Sequence, residues 1–270
     1  MIEKNLNRAV DRATDSTAFE QAARGGHVMS GFVHLLIGYI VIRLAFGDSG
    51  SADQSGALGT LASTTGGEFV LWVAVVAFVA MGLWRLAETV IGPHATEHTQ
   101  EDDSSLVDRA KAFGLAVVYF ALAYSAYQFA RGSGKSSGEQ NAGLSARLME
   151  SAGGKTVLIV VGLIAIAIGG YHVYKGASKN FLDDLKPSGS KLVEPLGVVG
   201  YVAKGLVIVG AGILVIVATL RSDPSKATGI DAAVKTLGQA PFGQFLLVAA
   251  GAGIAAYGLY SFVMARYARM

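Results

Sequence analysis

Cysteine is absent from this 270-residue chain, and only 16% of its residues are charged. The missing cysteines exclude disulfides, thiolate metal sites, iron–sulfur clusters and a cysteine nucleophile. The shortage of charge sets the chain apart from soluble domains, in which about a quarter of residues are charged. Proline is scarce, at five residues. The formal net charge of +2 is too small to argue for nucleic acid as a partner. Polar residues occupy roughly the first 26 positions, so no cleavable signal peptide is expected at the start.

What is abundant is apolar sequence: 52% hydrophobic residues, 35 glycines and a mean hydropathy of +0.46. About 20 apolar residues in a helix cross a hydrocarbon core about 30 Å thick. Six runs meet that length: 27–46, 68–90, 112–130, 155–175, 197–219 and 242–264. Helices are required, because lipid offers no partner to an unpaired backbone group and no run alternates polar with apolar as a barrel strand would. Lys and Arg outside the runs or at their end residues number twelve on the side of the N-terminal arm, the 91–111 and 176–196 linkers and the tail, Lys175 included. Seven lie on the opposite side. That bias predicts cytoplasmic termini in a multi-pass protein of the inner (plasma) membrane.

The six runs repeat as pairs. Gly67, Gly154 and Gly243 open the even runs, and Trp84, Tyr171 and Tyr260 follow each by seventeen residues. Gly82, Gly169 and Gly258 stand two before each aromatic, and Leu61, Leu148 and Leu237 stand six before each opening glycine. In the odd runs Gly31 aligns with Gly205 and Gly38 with Gly212, where the second copy has Ala116 and Ala123. The fold class this predicts is an all-α membrane protein, three tandem two-helix repeats in a pseudo-threefold bundle. The boundaries are an amphipathic arm (1–26), repeats at 27–90, 112–175 and 197–264, linkers at 91–111 and 176–196, and a tail at 265–270. Small residues at these positions let helix backbones approach closely. Trp84, Tyr171 and Tyr260 suit interfacial anchors, with a shared aromatic ligand cage as the alternative.

The Gly200-Tyr201-Val202-Ala203-Lys204-Gly205 segment and the Tyr257-Gly258-Leu259-Tyr260 ending, set in tandem two-span units over roughly residues 24–266, resemble an actinobacterial membrane family known as domain of unknown function 1206. The third copy carries the resemblance best, and the second departs most. The resemblance implies a polytopic inner-membrane protein and brings no catalytic residues with it.

Ionisable residues within spans are functional candidates. His34 is the deepest, and its repeat equivalents Tyr119 and Ile208 rule out a symmetric ion site. Arg85 and His172 are equivalent to each other and lie one residue past the aromatic, where they can snorkel. A candidate polar site on the cytoplasmic side would gather His34, Arg85 and His172 with Tyr119 and Tyr171. The bland alternative for His34 is a histidine bonded across the bundle. Lys204 is expected to snorkel, Arg43 and Glu68 to pair near the outer face, and Arg85 to pair with Glu88 one helical turn on.

Two motifs imitate chemistry. His94-Ala95-Thr96-Glu97-His98 matches H-x-x-E-H, but Pro93 and an acidic run surround it in a short loop, so no metal site is expected from His94 and His98. Gly132-Ser133-Gly134-Lys135-Ser136 lacks the upstream glycine of a phosphate-binding loop and reads as a flexible linker. Loop residues Leu58, Leu61, Leu144 and Leu148 suit short helices over the bundle. No catalytic constellation and no cofactor is expected. The expected partners are membrane lipids, with the Lys-rich 175–191 stretch attracting anionic ones, and a homo-oligomer or larger membrane complex. A non-enzymatic binding, scaffold or accessory protein is the first functional expectation. A transporter or channel for a small solute, ion or lipid with a polar cavity near His34 is the second.

Overall fold

Nine α-helices and two short 3-10 turns make up the described residues, 17–91, 105–186 and 191–268 of a computed structural model. The helices are α1 (Thr17–Ala45), α2 (Gln54–Ala62), α3 (Gly67–Ile91), α4 (Ser105–Ala130), α5 (Ser137–Met149), α6 (Ala152–Ala177), α7 (Val193–Leu220), α8 (Ile230–Gly238) and α9 (Gly243–Tyr267). Six of them, α1, α3, α4, α6, α7 and α9, are long and apolar enough to cross a membrane. The helix α1 runs from Thr17, and the part of it apolar enough to span starts at Arg24. The rest of the 1–26 arm lies outside the described residues, as do the His94–His98 motif and the side chain of Glu88.

The chain divides into two compact units, residues 58–134 with the N-terminal 23, and residues 24–57 with 135–269. The second unit holds α6, α7, α9 and α1 in a row. Two of its contacts are reciprocal and backbone to backbone. A Cβ placed on Gly169 of α6 would stand 2.6 Å from the Gly205 carbonyl oxygen of α7, and one on Gly205 would stand 2.6 Å from that of Gly169. Gly162 and Gly212 repeat the arrangement one heptad along. Between α9 and α1 the same geometry returns: Gly258 faces the Gly31 carbonyl at 2.9 Å, and Gly251 that of Gly38 at 2.8 Å. Any side chain at these positions would push the helices apart and forfeit the dispersion contacts that hold them. These pairs join the even span of one repeat to an odd span of another. Within the third repeat, α7 and α9 also touch, with Gly200 against Tyr257.

In the first unit α3 packs on α4. Ala116 and Ala123, which replace the glycines of the other copies, are buried there together with Ala112, Ala126 and Ala130 along one stripe. Gly82 accommodates the edge of the Phe120 ring at 3.0 Å. The alanines thus serve the role of the glycines at a wider spacing, which a ring fills.

Each repeat also has a short helix before its even span: α2, α5 and α8. The first two answer to the loop leucines; the third was not anticipated. The glycine that opens each even span marks a tight corner. A Cβ on Gly67 would run into the carbonyl oxygen of Leu61, on Gly154 into that of Leu148, and on Gly243 into that of Gly238. The two ends of the Gly132–Ser136 stretch are bonded to the helices they adjoin. Gly132 has φ +69° and donates its N–H to Phe129 O, Ser133 N–H bonds Gln128 O, and Ser136 Oγ caps α5 by accepting from Glu139 N–H. In the second unit buried Asp231 of α8 accepts from Ala52 N–H at 2.9 Å and from Lys235 at 2.8 Å, and Ser55 Oγ accepts from Ser137 N–H at 2.8 Å. Arg43 pairs with Asp48 at 2.6 Å in place of the expected Glu68.

Gly169 and Gly170 are neighbours with opposite surroundings, since nothing lies within 4 Å of a Cβ on Gly170. Gly169→Val should lower stability by about 1–3 kcal/mol through overpacking, and Gly170→Val should change it by no more than about 0.5 kcal/mol. Thermal unfolding of both variants in the same detergent checks the difference.

Candidate functional site

Lipid-facing and inward-facing residues separate cleanly on the helices of the second unit. Exposed residues recur every seven positions: Phe32, Tyr39 and Phe46 on the first span; Val199, Leu206, Ile213 and Leu220 on α7; Phe245, Ala252, Leu259 and Arg266 on α9. Seven residues are two helical turns, so each set is one stripe along its helix. At 100° per residue His34, Lys204 and Tyr257 fall on the side opposite those stripes. Polar side chains at membrane depth are expected on the inward side.

An aromatic cluster organises this inward side. Tyr201 of α7 meets Tyr257 of α9 edge-on at 5.3 Å between ring centres and Tyr260 at 5.6 Å. Phe181, from the 3-10 turn after α6, stacks on Tyr201 at 5.5 Å and meets Tyr260 edge-on at 5.2 Å. Phe181 and Tyr260 are fully buried, and the Tyr260 hydroxyl donates to the Phe181 carbonyl at 3.2 Å. Tyr260 is therefore not an interfacial anchor. Its repeat position, at the end of an even span, suits an interfacial ring, but the chain after α6 covers it. That chain folds over the helix ends, where Leu185 bridges to Ala268 and Lys186 N–H bonds Tyr267 O. Tyr171 remains exposed, as an anchor would be, and Trp84 is half-buried.

The charged residues around the cluster are mostly paired. Lys175 meets Asp184 at 2.6 Å, and Lys179 meets Glu194 at 2.5 Å. Two lysines of the 175–191 stretch are thus already neutralised. Arg24 donates to the carbonyls of Ala265 and Arg266 at 2.7 and 2.8 Å, closing the C-terminal end of α9 where orphan carbonyls favour a cation. Lys204 behaves differently. It does not snorkel outward: its ammonium lies 3.9 Å from the centre of the Tyr257 ring, a cation–π contact.

His34 packs its imidazole against the other polar partner of that ring, 4.7 Å from the Tyr257 centre. Its Nδ1 lies 2.8 Å from the Ser30 carbonyl. A carbonyl only accepts, so Nδ1 carries the proton. His172 makes the same backbone bond to Ile168 O at 2.8 Å and stands 5.9 Å from Tyr201. The histidines are bonded within their own helices, not across the bundle, and both border the tyrosine cluster. Tyr171 touches His172 edge-on. The other two expected site residues, Tyr119 and Arg85, belong to the first unit. Tyr119 lies beside Phe78 at 6.4 Å, and the Arg85 carbonyl accepts from Thr89 Oγ1 at 2.9 Å. The residues that sequence reasoning underrated are Tyr201, Tyr257 and Phe181. The Tyr201/Lys204 and Tyr257/Tyr260 spacings of three were visible as same-face pairs.

The first unit has its own concavity of about 500 Å³ where α3 begins and α4 ends, lined by Glu68, Trp72, Phe129 and Arg131 among others. Arg131 leans over Tyr127, whose ring meets Trp72 at 5.7 Å. Among the described residues no three His, Cys, Asp or Glu side chains gather as metal ligands.

Removing the buried ring in Phe181→Ala should cost about 3–5 kcal/mol, whereas Tyr171→Ala, at an exposed ring, should cost no more than about 0.5 kcal/mol. Denaturation followed by tyrosine fluorescence in detergent measures both.

Three segments of the chain, residues 25–92, 110–179 and 199–268, match the family described as Domain of Unknown Function (DUF1206). Each match is one two-span repeat. The chain is 26% identical over 254 residues to the Uncharacterized protein YxxB of Bacillus subtilis (strain 168), covering 92% of this chain and 90% of that one. No solved structure matches. With three copies of the family's unit accounting for most of its length, this six-span chain belongs to the DUF1206 family.

Proposed function

We propose that the chain is a non-enzymatic binding or accessory protein of the plasma membrane, in an actinobacterial cell as the resemblance implies. It works alongside lipid, and as a homo-oligomer or part of a larger membrane complex. In this reading both termini are cytoplasmic, following the twelve-to-seven bias of Lys and Arg, and the three repeats are arranged about a pseudo-threefold axis along the membrane normal. The observation that carries the proposal is the reciprocal glycine packing. Helix pairs in backbone contact at two points one heptad apart have little freedom to slide or part, and solute carriers require such motion. The short connections support it too, since helices of nine to thirteen residues offer little room for a folded catalytic domain.

A second reading, a transporter or channel, draws on Lys204. An ammonium on the inward side of a span is the kind of group that marks a solute path.

Proteoliposomes carrying the full chain should release potassium, protons and small anions no faster than empty vesicles. Light scattering of the detergent-solubilised protein should give a mass above that of the 27.9 kDa monomer. Saturable flux that Lys204→Met abolishes would replace the binding reading with the transport reading. The absence of cysteine makes topology directly measurable. Ser178→Cys should react with an impermeant maleimide only from the cytoplasmic side, and Ser225→Cys only from outside. The reverse pattern would invert the assignment.

A further inference from the structure

Around Tyr257 the protein gathers a cation and unpartnered hydroxyls with no carboxylate beside them. Lys204 lies eleven residues into α7, which has 28 residues. That helix is about 42 Å long and overhangs a hydrocarbon core of about 30 Å, so the Lys204 Cα stands roughly 10 Å inside it if the overhang is shared between the ends. A bare ammonium at that depth is costly, and one aromatic face offsets only part of the cost. Among the described residues no carboxylate lies within ion-pair distance of Lys204. The two acids near the cluster are committed elsewhere, Asp184 to Lys175 and Glu194 to Lys179.

The hydroxyls of Tyr201 and Tyr257 are in the same situation. Among the described residues neither has a hydrogen-bond partner, and neither oxygen is sealed from contact. Tyr260, in the same cluster, shows the contrast, because its hydroxyl is spent on Phe181 O. The Nδ1 protons of His34 and His172 are likewise spent on their own helices. What remains is one cation and two phenolic hydroxyls on two contacting helices, with the uncharged Nε2 atoms of the two histidines as acceptors beside them. A cationic ligand would meet the charge of Lys204, and a neutral apolar one would leave three donors unsatisfied.

We propose that Lys204, with the hydroxyls of Tyr201 and Tyr257, binds the oxyanion of a phosphate group. The ammonium supplies the charge, the hydroxyls donate hydrogen bonds, and the Tyr257 ring forms an apolar wall. The group is carried either by the headgroup of an anionic lipid or by a small solute. This rests on the binding-protein reading and names its ligand chemistry.

The test uses the full chain in phosphatidylcholine nanodiscs and two phosphorus-bearing probes, phosphatidylglycerol doped into the disc and inorganic phosphate added to the buffer. Phosphorus NMR follows each. One probe should titrate saturably with the wild type, phosphatidylglycerol identifying a lipid site and inorganic phosphate a solute site. Lys204→Met should weaken that titration by about tenfold or more, as expected for a charged hydrogen bond. Tyr257→Phe, which keeps the ring, should weaken it by about threefold, and lipid-facing Arg266→Gln should leave it unchanged. If neither probe titrates, or if Lys204→Met binds as well as the wild type, the site does not exist. Should Lys204→Met fail to fold, undiminished binding by both Tyr257→Phe and Tyr201→Phe overturns the proposal. Failure here leaves the flux and mass measurements unaffected, so it is distinguishable from failure of the binding-protein reading.

Discussion

Backbone-to-backbone contact at glycine is the constraint on which the second unit depends. In lipid the hydrophobic effect does not drive helices together, since lipid tails are as apolar as leucine. Association then relies on dispersion, which falls steeply with distance. Gly162 and Gly169 on α6 meet Gly212 and Gly205 on α7, and Gly251 and Gly258 on α9 meet Gly38 and Gly31 on α1. Two interfaces far apart in sequence therefore have one geometry. Each pairs an even span with an odd span from a different repeat, and the second joins the last span of the chain to the first. The unit of sequence duplication and the unit of closest packing are different objects.

The polar chemistry sits where that packing leaves room for it. Tyr201 and Tyr257 lie on the contacting faces of α7 and α9, and Phe181 closes the cluster from a turn outside any span. Lys204 turns inward onto a ring because its position on α7 is opposite the Val199–Leu206–Ile213 stripe. A lysine with one helix face open to lipid would extend toward the headgroups; one on the opposite face meets whatever the neighbouring helix presents. Here that is Tyr257, and beyond it His34.

Several expectations depended on residues that sequence patterns cannot bring together. Tyr260 and Tyr171 occupy equivalent repeat positions, yet one is buried and the other exposed. Identical local sequence logic gave both the same expectation, and only the fold of the 178–186 segment separates them. His34 and His172 do border one aromatic cluster, but Tyr119 and Arg85 lie in the other compact unit. Residues aligned by a repeat need not share a neighbourhood, because alignment fixes their depth in a helix and not the helix beside them. Arg43 meets Asp48, five residues along the chain, while Glu68 belongs to the other compact unit.

The sequence by itself determined the six spans, since length and apolar content are what a bilayer selects, and it determined the threefold repetition of the hairpin. It also marked the glycines of close approach and the corners before each even span, where no side chain fits. Which helix each small-residue face meets was decided by tertiary structure alone, because a glycine stripe signals that some backbone comes near without naming it. The same holds for the cluster around Lys204: its parts come from α1, α7, α9 and the turn after α6, and only folding sets them against one another.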